Sequence, residues 1–135
     1  MSNSMKKGNI MNYHGIIINL SLKDKSLFKG LEIIGQKKVF LNWLILYKVN
    51  VPPEIIDSTI QSLQSNLVEK FWFYFPHFYC HFYRGDELIV VFKEKVFRVK
   101  TDPATWQEVL EYGKSIGIPV KQLDFYPCRL ADELY

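Results

Sequence analysis

The sequence predicts an α+β fold: a mostly antiparallel sheet of five to six strands with two amphipathic helices on one face. Three observations carry the prediction. Residues 72–100 form a β-prone stretch broken by one clear turn, Arg84-Gly85-Asp86-Glu87. Residues 13–22 and 39–51 alternate as strands do. Two segments opened by proline, after Pro53 and after Pro103, carry apolar residues at helical spacing.

Taken in order, residues 1–12 are polar and are expected to be a disordered N-terminal extension to a single domain spanning 13–135. In residues 13–22, Ile16, Ile18, Leu20 and Leu22 share one face with Asn19 and Ser21 opposite, the pattern of a half-buried strand. Residues 23–38 are ambiguous. Leu27, Phe28, Leu31 and Ile34 have helical spacing, with Asp24 or Ser26 as cap and Gly35 as stop, yet Gly30 weakens any helix. Residues 39–51 read as one long strand, with Trp43, Ile45, Tyr47, Val49 and Val51 on one face and Leu44 and Leu46 on the other. Pro52-Pro53 ends it and opens a helix whose stripe is Ile56, Ile60, Leu63 and Leu67.

The meander follows. Glycine at the first central position suits a two-residue type II′ turn, which pairs Arg84 with Glu87 and, by register, Tyr79 with Phe92. Alternation then puts Tyr79, His81, Tyr83, Leu88, Val90 and Phe92 on one side, the tyrosine face. Phe78, Cys80, Phe82, Ile89 and Val91 make the opposite, cysteine face. Neither suits solvent, so residues 88–92 read as a central strand buried on both sides. The second turn, at Lys93-Glu94-Lys95, lacks glycine. A two-residue loop there sends Phe97 and Val99 to the tyrosine face, and a three-residue loop sends them to the other. Asp102 caps the second helix, Trp106, Val109, Leu110 and Ile116 form its stripe, Gly113 allows a close approach, and Gly117 ends it. Residues 122–126 read as a short final strand.

This order resembles a ferredoxin-like βαββαβ core with extra strands. In that plan both helices lie on one sheet face, so the opposite apolar face needs another cover. A second copy of the chain, related by a twofold axis, would supply it, and the chain is expected to self-associate as a non-enzymatic module.

Composition narrows the classes further. The chain has 135 residues, 48% of them hydrophobic and 23% charged, enough for one ordinary domain core. The net charge of +3 includes Lys6 and Lys7 in the extension, so the concentrated basic surface of a nucleic-acid binder is absent. An open aromatic sheet would still allow an RNA-stacking alternative, although no RNP-type motif accompanies it. No apolar run is long enough to span a bilayer, and Cys80 and Cys128 lack paired spacing, which fits reduced thiols and a cytoplasmic protein.

The candidate site is the row His77, Tyr79, His81, Tyr83, with Arg84 beside it, a set of donors, acceptors and rings along one strand. It offers a wall for a small polar or aromatic ligand or, in an enzyme, a histidine as general acid–base. A metal is not expected: histidines four apart on a strand stand about 13 Å apart, too far to share an ion. Cys80 projects away from both His77 and His81, which leaves His14 as the one histidine for a thiol–imidazole pair and favours a packed thiol. Glycine-rich phosphate loops and the G-x-S-x-G elbow are absent, and no cofactor is expected.

Overall fold

The computed structural model describes residues 11–39, 41–42, 44–68 and 78–135. Residues 1–10 of the expected extension 1–12, Phe40, Trp43, and the segment 69–77 with His77 lie outside the described residues.

Among the described residues six strands form one sheet: β1 (Tyr13–Ile18), β2 (Glu32–Val39), β3 (Leu44–Val51), β4 (Tyr79–Arg84), β5 (Glu87–Phe92) and β6 (Val96–Lys100). Their order is β2-β3-β1-β4-β5-β6, and every neighbouring pair is antiparallel. Among the described residues two α-helices accompany it, α1 (Ile56–Asn66) and α2 (Gln107–Ser115). The class is therefore α+β, as expected. The strand order departs from the ferredoxin-like plan. The N-terminal strand β1 is inserted between β3 and β4, which α1 connects, and residues 122–126 form no strand.

The meander follows its alternation residue by residue. Arg84 faces Glu87 and Tyr79 faces Phe92, with Gly85 at φ +59° supplying the positive angle that a type II′ turn needs. The second loop has two residues. Phe92 N–H donates to Lys95 O at 2.8 Å, and Val90 pairs with Phe97, so Phe97 joins the tyrosine face.

Residues 39–51 are not one strand but the end of one hairpin arm and the whole of the next. Leu41 and Asn42 take φ +58° and +70°, the paired positive angles of a type I′ turn. Without a glycine, hydrophobic alternation runs through that turn unmarked. β2 itself comes from the ambiguous stretch. Asp24 does act as a cap, accepting from Ser26 N at 2.9 Å, but for the 3-10 turn Lys25–Gly30.

The two helices cover opposite faces. On α1, Ile56, Ile60 and Leu63 pack with Ile17, Val49, Cys80, Phe82, Ile89 and Val91 of the cysteine face. On α2, Val109 packs with Leu88, Val90 and Phe92 of the tyrosine face, alongside Trp106 and Phe97. The connections are short: one leads from β3 into α1, and the other leads from β6 at the sheet edge into α2. Alternation shows that both faces need covering, but not which helix covers which.

β1 is also buried on both sides, rather than half-buried: Tyr13 and Ile17 face α1, while Ile16 joins the other cluster. Gly15 lies between them opposite Phe82, whose ring occupies the place of a glycine side chain, 2.4 Å from where a Cβ would stand. Gly113 serves the close approach expected of it, with Leu123 Cδ1 only 2.7 Å from a notional Cβ.

Candidate functional site

Residues 118–135 cross the tyrosine face beside α2, and this segment builds the site. Each of the described residues of the tyrosine row reaches it. The Tyr79 hydroxyl donates to Gln122 O, His81 Nε2 donates to Pro127 O at 2.8 Å, and the Tyr83 hydroxyl donates to a Glu133 carboxylate oxygen. The bonds follow chain order on both sides, so the segment runs along β4 like a strap.

Between strap and sheet lies a cavity of about 430 Å³. Its floor is Ile16, Ile18, Leu44 and Leu46 from β1 and β3, and its walls include Tyr79, His81, Asp124 and Phe125. Phe125 holds φ +51°, a region that bulky residues rarely enter, and its fully buried ring packs edge-on against Trp106 at 5.0 Å. The neighbouring Asp124 Oδ1 accepts from Tyr126 N at 3.2 Å, a local turn that keeps the carboxylate at the rim.

His81 is 4% exposed, between the rings of Tyr83 (6.0 Å) and Phe125 (6.2 Å). Burial pushes its pKa down to about 4, outweighing the Pro127 carbonyl and Asp124, which favour the charged form. The imidazole is therefore neutral at pH 7. A carbonyl can only accept, so Nε2 carries the proton and Nδ1 is left with a lone pair. Tyr79 is held well above the ordinary tyrosine range by burial, then by Asp124 and Cys80.

Of the five expected residues, Tyr79 and His81 line the cavity. Tyr83 does not. Its hydroxyl joins a separate cluster in which Glu133 also accepts from His14 Nδ1 at 2.6 Å and Lys48 Nζ at 3.1 Å. Arg84 sits at the turn, paired with Glu87 at 2.9 Å and stacked over the Tyr13 ring at 4.4 Å. His77 lies outside the described residues. Leu44 and Leu46 were legible as an unexplained apolar pair, whereas Phe125, Asp124 and Glu133 carry no pattern that marks them.

The site is a half-open, mostly apolar cavity, and its described lining holds no serine, threonine or cysteine. Cys80 lies on the opposite face, where burial pushes its thiol up to about 12. Among the described residues no group of three or more His, Cys, Asp or Glu gathers as metal ligands do. Compared with known protein families, curated proteins and solved structures, the chain matches none.

Proposed function

We propose that this domain is a binding module for a small, largely apolar molecule, held between the sheet and the strap. The carrying observation is the cavity of about 430 Å³, within the range typical of ligand pockets, floored by aliphatic side chains with one buried imidazole in its wall. A neutral imidazole and a hydroxyl already bonded to Gln122 suit recognition better than proton transfer at neutral pH.

Self-association, the alternative reading, draws less support. Its motive was an apolar face without a cover, and both faces of β5 are buried under the chain's own residues. An RNA-stacking sheet draws less still. Tyr79 packs on Phe92 and Phe125 and Tyr83 is 1% exposed, so neither ring is open to a base.

Titration of the protein with methylnaphthalene, followed through the methyl resonances of Ile16, Ile18, Leu44 and Leu46, tests the proposal. Shifts confined to those methyls, and lost when Leu46→Trp fills the floor of a still-folded protein, are expected. Unmoved methyls up to the solubility limit of the probe would refute it.

A further inference from the structure

We infer that the cavity selects an uncharged ligand that donates one hydrogen bond, such as a phenol, an alcohol or an indole-type N–H, and that His81 Nδ1 receives it. This inference rests on the binding function proposed above and specifies its ligand class.

Three observations lead to it. His81 makes a single hydrogen bond among the described residues, from Nε2 to Pro127 O, so Nδ1 is unpaired. Among the described residues, the unpaired side-chain polar atom sealed from open space is the Tyr135 hydroxyl. Nδ1 is therefore not among the sealed atoms, and His81 lines the cavity. In the empty cavity this acceptor is left to water, and a ligand that displaces the water must itself supply a donor or leave the acceptor unpaired.

The second observation is charge. The described lining holds no lysine or arginine, and its one carboxylate is Asp124. A carboxylate or phosphate ligand would enter without a counter-charge and against Asp124, and burying an unpaired anion is strongly disfavoured. The third is commitment of the neighbours. The Tyr79 hydroxyl gives its proton to Gln122 O, and Asp124 Oδ1 accepts from Tyr126 N. The imidazole, locked in one tautomer by Pro127, offers a lone pair and no proton to the cavity.

Three probes of matched shape separate the possibilities: naphthol, methylnaphthalene and naphthoate, each titrated at neutral pH. Naphthol is expected to bind about five-fold or more tighter than methylnaphthalene, the ratio for one neutral hydrogen bond, with naphthoate weakest. In His81→Phe the preference for naphthol should vanish while methylnaphthalene still binds. Should that variant fail to fold, a long-range proton–nitrogen spectrum of the parent decides. The His81 Nδ1 resonance must move with naphthol and stay still with methylnaphthalene. Equal binding of naphthol and methylnaphthalene, tightest binding by naphthoate, or an unmoved Nδ1 overturns the ligand class while leaving the cavity a binding site. If none of the three binds, the proposed function fails and this inference falls with it.

Discussion

His81 combines a titratable ring with near-complete burial, and the consequence is a specific acid sensitivity. In the unfolded chain an imidazole takes up a proton near pH 6.5, whereas in the fold it resists until about pH 4. Between those values the unfolded chain holds more protons, so stability rises with pH across the window. It is fully present above the unfolded value and is lost as the pH falls toward the folded one. The loss amounts to up to about 3 kcal/mol. Urea midpoints measured from neutral pH down to about pH 4 should fall for the parent and fall less for His81→Phe. Parallel profiles for the two proteins would show that the ring is not held neutral by the fold.

At the scale of elements, the strap depends on Glu133. Burial alone would push its carboxyl up, but hydrogen bonds from Tyr83, His14 and Lys48 outweigh this and hold it below its ordinary value. Those donors come from β4, β1 and β3, so one side chain fastens the end of the strap to three neighbouring strands. Lys48 lies with its side chain 7% exposed, and it loses its charge partner when Glu133 is neutralised. Glu133→Gln is expected to cost about 1–3 kcal/mol, because buried polar groups lose their partner. Amide hydrogen exchange should accelerate in residues 118–135 while β4 and β5 stay protected. Unchanged exchange in the strap would mean that apolar packing alone holds it. Glu133 also adds acid sensitivity of the usual carboxylate sign: its contribution is present above its ordinary value of 4.5 and is lost as the pH falls through the lowered folded value.

For the whole molecule, the expectation is a monomer at micromolar concentration, read by light scattering. Three features argue it. Each sheet face is covered by the chain's own elements. The β2 edge carries a register shift between Ile33 and Gly35, with Lys37 and Lys38 exposed beyond it. The β6 edge bears the charged Arg98, bonded to Asp57 at 2.7 Å, and Lys100. Bulges and edge cations both discourage strand addition from another chain. A dimer that persists on dilution would place an interface where Ile33, Ile34 and Leu41 remain exposed. No helix among the described residues is long and apolar enough to cross a membrane.

What sequence alone determined is whatever depends on nearest neighbours along the chain. The Arg84–Glu87 register, the opposed tyrosine and cysteine faces, the Ile56–Ile60–Leu63–Leu67 stripe and the roles of Gly85 and Gly113 all follow from side-chain period and turn chemistry. The tertiary structure alone decided the insertion of β1 between β3 and β4, the placing of the helices on opposite faces, and the closure of the tyrosine face by residues 118–135. The strap has no period to read. Its course is set by a positive φ at Phe125 and by polar contacts to residues 43 to 119 positions away. Local pattern records which side of a strand avoids water. What comes to lie against that side is settled by loop closure and packing over long sequence distances, and it is that contact which forms the cavity.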